Sequence, residues 1–212
     1  MSSLTPEKAL VFRITHIKNV AWILANGLHC RNSGVLDPDY EEIGNPDLIA
    51  MRAHRAMPIP PGGTLSDYIP FYFTPYSPMM LNIKTGYNGI KQTPMRDIAI
   101  LVSSLRKVHE MGIQFVFSDR HAYLMAAEFS SDLDDLKKID WKILQARDFK
   151  RDPNDFGKVE RYQAEALIYQ HVPIEALLGI ICYGPAQQQM VTELAATLDR
   201  KVEIKALPGW YL

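Results

Sequence analysis

The sequence predicts an α+β fold in which a mixed or antiparallel central sheet is flanked by helices. Short strand-like runs and short helices are interspersed along 212 residues, with few clean βαβ units. Residues 98–102 form a continuous apolar run, which is typical of a strand buried on both faces. Because no Pro/Gly/Ser-rich linker and no internal repeat divides the chain, we expect one domain over residues 1–212.

An apolar run and a capped amphipathic helix open the predicted fold. Residues 9–14 favour a strand, and a helix over residues 17–26 would carry its apolar side chains on one face. Gly27 stands where a helix end requires a positive φ, and residues 28–30 favour a short strand. Residues 31–44 show no periodicity, and a structureless connection of this length is often a binding loop or lid.

A second helix is followed by a proline-rich stretch. An Asn-Pro pair favours a helix start, and we extend this helix over residues 46–57. The Pro-Pro pair at residues 60–61 favours an extended polyproline segment, and the Gly-Gly pair at residues 62–63 a tight turn. The aromatic residues 69–74 favour a strand, and a Ser-Pro pair at residues 77–78 begins a short helix.

The C-terminal half alternates apolar runs with short helical patterns. Strands are predicted at residues 98–102, 114–117, 178–183 and 202–205. Helices are predicted at residues 103–111, 133–139, 141–144 and 185–198, with a shorter one after Pro173.

Glu165 is the acidic residue whose position is hardest to explain by packing alone. Residues 161–169 favour a strand that places Glu165 on one face with Leu167 and Tyr169. A carboxylate on a largely apolar face is costly to bury unless it has a partner or a role. From this strand alone, a solvent-exposed Glu on an edge strand is the commoner explanation, and only the other motifs favour a catalytic role.

Three polar clusters could bind a ligand, and each has a simpler explanation. Residues 13–16, Arg-Ile-Thr-His, lie at a strand-to-helix junction, where backbone N–H groups can bind an anion. A Thr that only caps the helix would give the same sequence pattern. Arg52 and Arg55 lie one turn apart, as they would on a solvated helix face. Residues 119–121, Asp-Arg-His, follow a buried strand, where both active-site loops and capped turns occur.

A charged, irregular segment spans residues 147–161. Mixed charge of this kind is usually a solvated loop. However, Phe149, Phe156 and Tyr162 stand among basic residues, and this arrangement would suit a nucleic acid single strand with stacked bases and paired phosphates. Composition alone leaves both explanations open.

The overall composition excludes several protein classes. The formal net charge is −1, from 23 Lys and Arg against 24 Asp and Glu, so any nucleic acid site must be a local basic surface. Cys30 and Cys182 form no CxxC pattern, so no metal site or disulfide framework is expected. No Rossmann, P-loop, GxSxG or HExxH motif occurs. Without a signal peptide or a long apolar stretch, we expect a cytoplasmic protein that does not associate with membranes.

Five stretches in one order resemble a single known family. The most specific is Pro-x-Pro-Pro-Gly-Gly-x-Leu-x-Asp-Tyr-Ile-Pro-Phe-Tyr-Phe at residues 58–73. The others are Phe-Arg-Ile-Thr-His-Ile at 12–17, Ser-Pro-Met at 77–79, Phe-Val-Phe-Ser-Asp-Arg-His at 115–121 and Gln-Ala-Glu at 163–165. These stretches resemble the DarT proteins, DNA ADP-ribosyltransferase toxins of bacterial toxin–antitoxin pairs, over roughly residues 11–183.

The resemblance implies an ADP-ribosyltransferase fold, NAD as co-substrate, and transfer of ADP-ribose to a base of single-stranded DNA. The thymidine-specific branch, which modifies thymine N3 in a short sequence context, matches better than the guanine-specific branch. It also implies a macrodomain antitoxin, DarG, as partner. The alternatives are guanine specificity, an NAD hydrolase or protein ADP-ribosyltransferase, and a non-catalytic single-strand binder.

The same resemblance assigns the catalytic residues. Glu165 falls on the catalytic Glu, which would hydrogen-bond the ribose 2′-OH and support the oxocarbenium-like transition state as nicotinamide leaves. Arg52 falls on the active-site Arg, which would steer the pyrophosphate or stabilise the thymine anion. Arginine is always charged, so it suits an electrostatic clamp better than a proton acceptor.

The resemblance implies further contacts to NAD and to DNA. Residues 31–57 would close over NAD, and residues 119–162 would form the substrate loop. The NAD contacts would be made by the backbone of Arg13, Ile14 and Thr15, by Asn19, Arg31 and Arg52, and by Tyr72, Phe73 and Met79 lining the nicotinamide pocket. Other members carry His at the Arg13 position, so only backbone contacts carry over there. The DNA contacts would be made by Arg120 and His121 near the base and by Arg147, Lys150, Arg151 and Lys158 near phosphates.

Overall fold

The computed structural model describes residues 4–212 and places ten strands and seven α-helices among them. The strands are β1 (Leu10–His16), β2 (Leu28–His29), β3 (Tyr68–Tyr72), β4 (Ile98–Ser104), β5 (Phe115–Ser118), β6 (Phe129–Ser130), β7 (Glu165–Tyr169), β8 (His171–Val172), β9 (Gly179–Cys182) and β10 (Glu203–Ala206). The α-helices are α1 (Val20–Asn26), α2 (Pro46–Arg52), α3 (Pro78–Thr85), α4 (Leu105–Glu110), α5 (Trp141–Ala146), α6 (Lys158–Tyr162) and α7 (Pro185–Thr197). Short 3₁₀ helices occupy Ile17–Asn19, Arg31–Ser33, Leu65–Asp67, Tyr87–Gly89, Met95–Asp97, Leu133–Lys138, Ile174–Ala176 and Pro208–Trp210.

Eight strands form one mixed sheet in the order β10-β9-β4-β1-β3-β7-β5-β6. Strands β9 and β10 run parallel on either side of the α7 connection, and the other neighbours run antiparallel. Strands β2 and β8 pair separately. This arrangement confirms the predicted α+β class with a mixed sheet and flanking helices.

The sheet is interrupted in its middle, between β1 and β3. Strand β1 pairs with β4 along its whole length. With β3, the only residues paired in the described chain are Phe12 and Tyr72. Pro70 stands two residues before Tyr72 and therefore faces the same edge of β3, where it has no N–H to donate. The next ladder bond is thus missing, and we call the unpaired stretch of β1 and β3 next to this pair the gap.

Apolar side chains pack on both faces of the sheet. In β4, Ala99 and Leu101 belong to a cluster that includes buried residues of α1 and α7. The alternate β4 residues, including Ile100, belong to a second cluster that includes Met80 and Ile83 of α3. All seven residues of β4 are buried, which confirms the prediction for residues 98–102. Each such aliphatic side chain contributes about 1.5–3 kcal/mol by burial.

Most predicted elements are confirmed with small shifts of their ends. Helix α1 buries Val20, Ile23 and Leu24 as its pattern indicated, and Gly27 closes it at φ 78°. Ser77 caps α3 by accepting a hydrogen bond from the Met80 N–H. Strands β6 and β8, of two residues each, were not predicted. Within residues 4–212, no helix is both long enough and apolar enough to span a membrane.

The prediction for the proline-rich stretch is wrong in two respects. Helix α2 ends at Arg52, not near residue 57, because the following backbone turns into a hairpin. The Met57 N–H donates to the Gly63 carbonyl at 2.9 Å, which closes this hairpin. Residues 60–61 consequently lie in its turn and not in an extended polyproline segment.

The strand that carries Glu165 is shorter than predicted. Residues 158–162 form helix α6, in which the Arg161 N–H donates to the Gly157 carbonyl, and β7 begins at Glu165. Arg161 and Tyr162 therefore do not belong to the strand. The change matters for the site, because a helix now leads directly into the position of Glu165.

Candidate active site

Glu165 is buried at the start of a central strand. Strand β7 lies between β3 and β5, and the carboxylate residue is aligned with Tyr72 of β3. Glu165 is only 1% exposed. The explanation of a solvent-exposed Glu on an edge strand is therefore wrong. A buried carboxylate at this depth requires donors to balance the loss of its hydration.

Two donors hold the Glu165 carboxylate. Arg52 Nη1 lies 2.9 Å from Oε2, and the backbone N–H of Ala122 donates to Oε1 at 3.0 Å. The side chains of Arg52 and Glu165 are 11% and 2% exposed, so this is a buried ion pair. Each carboxylate oxygen has two acceptor positions, and one on each oxygen remains for a substrate donor.

Helix α2 delivers the Arg52 guanidinium to this carboxylate. The Asn45 side chain caps the helix by accepting hydrogen bonds from the Asp47 and Leu48 N–H groups, and Pro46 fits its first position. Arg52 occupies the last turn, where the helix dipole favours a cation. Its Nη2 is buried and has no hydrogen-bond partner among the described residues. The donors of this nitrogen are therefore unused within the described chain.

Arg55, which the sequence analysis paired with Arg52, also makes contacts within the protein. Arg55 donates through Nη2 to the Leu124 carbonyl at 3.2 Å, and Nη1 lies 3.0 Å from the Met125 sulfur. A solvated helix face is therefore the wrong explanation for the pair of arginines. Arg55 connects the segment after α2 to the loop that carries His121 and Ala122.

His121 lies beside the carboxylate in the loop after β5. Its Nδ1 is 3.7 Å from Glu165 Oε1, and its backbone N–H donates to the Glu160 carbonyl at 3.0 Å. The Tyr123 N–H donates to the same Nδ1 at 3.2 Å, so the neutral ring carries its proton on Nε2. The ring is thereby fixed in orientation, with the Nε2–H directed away from this loop contact.

The charges around Glu165 keep it ionised. Burial alone would raise the pKa of Glu165, but the Arg52 guanidinium and the Ala122 N–H hold this pKa below its usual value. Burial raises the pKa of Tyr72 far above its usual range, and the facing carboxylate adds to that rise. The site therefore combines a stable carboxylate with a phenol that stays protonated.

The gap between β1 and β3 adjoins this centre. Arg13 Nη1 donates to the Pro70 carbonyl across the gap at 2.9 Å, and the Arg13 Nε is buried without a partner in the described chain. Tyr72 points its hydroxyl at the Met79 sulfur, 3.6 Å away. Three residues for which the resemblance implied NAD contacts, Arg13, Tyr72 and Met79, are thus brought together beside Glu165.

Other residues expected near NAD hold the protein's own loops. Asn19 is buried, and its side chain donates to Thr15 Oγ1 at 3.1 Å and exchanges two 2.9 Å hydrogen bonds with the Glu41 backbone. Asn19 therefore fastens the loop over residues 31–44 to β1. Arg31 is exposed and pairs with Glu42 within that loop. Ile14 and Phe73 are buried core residues.

Asp67 holds two loops near the site together. The sequence identified it only as part of the family motif. Its Oδ2 accepts hydrogen bonds from the Thr64 N–H and hydroxyl, and its Oδ1 accepts from Asn32 Nδ2 at 2.8 Å. Gly63 approaches it so closely that a Cβ would lie 2.6 Å from Oδ2. Asp67 thus joins the proline-rich hairpin to the loop over residues 31–44.

Among the residues expected to contact DNA, His121 lies beside Glu165, whereas three of the basic residues make other contacts within the protein. Arg120 pairs with Asp119 at 2.8 Å, and Lys158 pairs with Asp148 at 2.6 Å. Arg147 lies 3.9 Å above the centre of the Tyr76 ring. Lys150 and Arg151 are exposed and make no ion pair within residues 4–212. In the same range, no group of three or more His, Cys, Asp or Glu is placed to hold a metal ion.

A buried, fixed carboxylate of this kind suits an enzyme that stabilises positive charge developing on a sugar, as ADP-ribosyltransferases do. A family model described as "ssDNA thymidine ADP-ribosyltransferase, DarT" matches residues 12–212. The chain belongs to this DarT family of DNA ADP-ribosyltransferases, as the five sequence stretches predicted.

Individual relatives agree with this assignment. A curated "DNA ADP-ribosyl transferase" of Escherichia coli O127:H6 is 50% identical over 210 residues, which cover 99% of this chain and 96% of the relative. A solved Thermus sp. 2.9 DarT in complex with ADP-ribosylated ssDNA is 32% identical, with a TM-score of 0.89 and 98% coverage of both chains. The same protein in complex with NAD+ has a TM-score of 0.84 over 98% of this chain and 99% of that chain.

Proposed function

We propose that this chain transfers ADP-ribose from NAD to the base of thymidine in single-stranded DNA, in a sequence-dependent way. The description of the matching family supports thymidine as target. The Thermus relatives in complex with NAD+ and with ADP-ribosylated ssDNA support the two substrates. In this role the chain acts as the toxin of a toxin–antitoxin pair, and a DarG-like macrodomain protein is its proposed antitoxin. Both substrates are found in the cytoplasm, where we place the reaction.

The observation that carries the proposal is the state of Glu165. Its carboxylate is buried, ionised and held by Arg52 and the Ala122 N–H, yet each oxygen keeps one acceptor position. A fixed carboxylate of this kind accepts a hydrogen bond from a ribose hydroxyl and stabilises positive charge that develops on the ribose. Electrostatic stabilisation by one such group contributes about 100- to 1000-fold in rate.

The gap between β1 and β3 has the features that an NAD site requires. Bound NAD supplies the ADP-ribosyl group and releases nicotinamide. The edge of β1 beyond Phe12 has backbone groups that β3 does not pair, and the Arg13 to Thr15 backbone there can bind an amide. The buried, unpartnered Arg13 Nε and Arg52 Nη2 supply donors for anionic oxygen. Tyr72 and Met79 offer an apolar wall with one hydroxyl.

Arg52 has a second task in the proposed reaction. One of its terminal nitrogens holds Glu165, and the other is free to donate to the pyrophosphate or to the thymine oxygens. Thymine reacts through N3 after that nitrogen gives its proton to solvent water, and a guanidinium beside the ring stabilises the resulting anion. The N3 anion then bonds to the ribose C1′ as the bond from C1′ to nicotinamide breaks. We assign His121, whose Nδ1 lies 3.7 Å from the carboxylate, to contact with the incoming base.

The substrate loop over residues 119–162 supplies the DNA side of the proposed site. Arg120, Arg147 and Lys158 are engaged in contacts within the protein, so we assign them to holding the loop in shape. We assign Lys150 and Arg151, which are exposed, to contacts with the DNA phosphates. A single strand needs no base flipping, which would otherwise cost a few kcal/mol.

The experiment is intact mass spectrometry of mixed-sequence single-stranded oligonucleotides incubated with the protein and NAD. We expect the mass of one ADP-ribose to be added to thymine-containing strands, not to guanine-only strands, and not by Glu165→Gln. A product on guanine alone would assign the sister specificity. No product on any strand, together with rapid nicotinamide release, would identify an NAD hydrolase and refute DNA transfer.

A further inference from the structure

The basic residues of the segment over residues 147–161 fall into two groups in the structure. One group is engaged within the protein: Lys158 pairs with Asp148, and Arg161 pairs with Asp155 at 2.6 Å and with Asp140 at 3.2 Å. These pairs hold the segment against α5 and α6. The other group, Lys150 and Arg151, is exposed and unpaired within residues 4–212.

The three aromatic residues of this segment also separate. Phe149 and Tyr162 pack on each other with ring centres 5.1 Å apart, and Tyr162 is fully buried. Phe149 is only partly exposed and packs against the core. Phe156 is 90% exposed. A single exposed ring is common on a protein surface, and it is the position of Phe156 among unpaired basic residues that favours a nucleic acid ligand.

One short hairpin carries both the free cation and the free ring. Asp152 and Asp155 form an isolated antiparallel bridge around the Pro153-Asn154 turn, and the Asp155 N–H donates to the Asp152 carbonyl at 3.1 Å. Arg151 precedes this bridged pair directly and Phe156 follows it directly, so both belong to the same exposed hairpin. We call residues 151–156 the surface hairpin.

We infer that the surface hairpin is a nucleotide clamp for the single-stranded DNA that flanks the target base. The Phe156 ring stacks on a base, while Arg151 and neighbouring Lys150 bind the adjoining phosphates. A cation beside an exposed ring is the combination that binds single strands without reading their sequence. The inference rests on the proposed function, because it assigns part of the DNA substrate of the same site.

A short segment of the chain, stabilised by an ion pair and a hydrogen bond, connects the clamp to the catalytic centre. Arg161 in α6 holds Asp155 of the hairpin, and the Glu160 carbonyl accepts the His121 N–H. From Phe156, α6 and two short extended pieces lead to Glu165, a path of at most about 24 Å. A strand of a few nucleotides can therefore occupy the clamp while its target base lies at the carboxylate.

The first test measures the contribution of the ring. Phe156→Ala should weaken binding of a fluorescent thymine-containing oligonucleotide about tenfold and raise its KM similarly, while kcat at saturating DNA stays within about twofold. Phe156→Trp should restore binding. Tyr87→Ala removes a ring that is 62% exposed elsewhere on the surface, and it serves as the matched control with wild-type binding. Because Phe156 contributes no packing, its removal should leave folding intact.

The second test measures the phosphate contact. Arg151→Gln should lower the slope of log Kd against log salt by about one unit relative to wild type. Arg96→Gln neutralises another exposed arginine that makes no ion pair within residues 4–212, and it should leave the slope unchanged. An unchanged slope in Arg151→Gln would remove the phosphate contact.

These binding measurements separate failure of the clamp from failure of the proposed function. If wild-type protein modifies DNA but Phe156→Ala binds like Tyr87→Ala, the clamp is refuted and the transferase stands. If wild-type protein makes no DNA product but loses strand affinity in Phe156→Ala, the clamp stands and the proposed chemistry is refuted.

Discussion

The catalytic centre and the surface hairpin lie at opposite ends of α6. They differ in solvent exposure and in the partners of their charged groups. At the centre, Glu165 is 1% exposed and each of its oxygens has a fixed donor. On the hairpin, Phe156 is 90% exposed and Arg151 has no ion-pair partner in the described chain. Buried charges interact strongly because little water screens them, whereas exposed charges act over a distance and are weakened by salt.

The difference separates the residues that stabilise the transition state from those that bind DNA. A buried, pre-organised carboxylate can stabilise a transition state, since it needs no reorganisation when charge develops. An exposed ring and cation can attract and hold a strand but cannot influence the reacting atoms. Substitutions at the centre should therefore change kcat or stability, and substitutions on the hairpin should change DNA affinity.

The largest effect is expected from Glu165→Gln. The amide keeps the shape of the side chain but removes the negative charge, so kcat should fall about 100- to 1000-fold while oligonucleotide affinity stays near wild type. Rates follow from product mass over time, and affinity from fluorescence anisotropy. A fall in affinity as large as the fall in kcat would break the separation between the two regions.

Removing the partner of Glu165 should cost stability. Arg52→Met leaves a buried carboxylate without its cation, and breaking a buried pair typically destabilises by about 3 kcal/mol or more. Arg31→Met breaks the exposed pair with Glu42 and is the matched control, with a loss of about 0.5 kcal/mol or less. Urea unfolding measures both. Equal losses would mean that the Arg52–Glu165 pair behaves like a surface pair.

Acid should weaken the same pair. The pKa of Glu165 is held below the usual value of 4.5, with burial opposing and Arg52 favouring this shift. The pair therefore stabilises the folded protein above about pH 4.5, and this stabilisation is lost as the pH falls through the lowered value. The difference in unfolding free energy between wild type and Glu165→Gln should be constant from neutral pH to about pH 5 and shrink below it. A difference that grows on acidification would reverse the sign of the shift.

A smaller effect is expected at the gap between β1 and β3. Arg13→Met removes the hydrogen bond to the Pro70 carbonyl and the free donor beside it, so KM for NAD should rise about tenfold with little change in kcat. Arg13→Lys should recover part of the loss, because its ammonium can reach the same carbonyl. An unchanged KM in both variants would show that the gap keeps its width without Arg13.

The sequence predicted the scaffold better than the site. Hydrophobic periodicity and cap residues located β1, α1 and β4, because these elements depend on local patterns. The early end of α2 was not predictable, since it results from pairing of Met57 with Gly63 across a turn. Periodicity also could not bring Arg52 to Glu165, 113 residues away in sequence.

Backbone donors and solvent exposure were the features that sequence could not supply. The Ala122 N–H holds the carboxylate, and any residue type other than proline would offer the same group. Phe149, Phe156 and Tyr162 look equivalent in sequence, and only packing separates the exposed ring from the buried pair. The family resemblance compensated for part of this, because it selected Glu165 and Arg52 together.

The most direct measurement is a single-turnover comparison of wild type, Glu165→Gln and Phe156→Ala at saturating NAD and oligonucleotide. We predict that Glu165→Gln modifies thymine at least about 100-fold more slowly, while Phe156→Ala reacts at the wild-type rate once its strand is bound. Retention of the wild-type rate by Glu165→Gln would contradict the assignment of the chemistry to the buried centre.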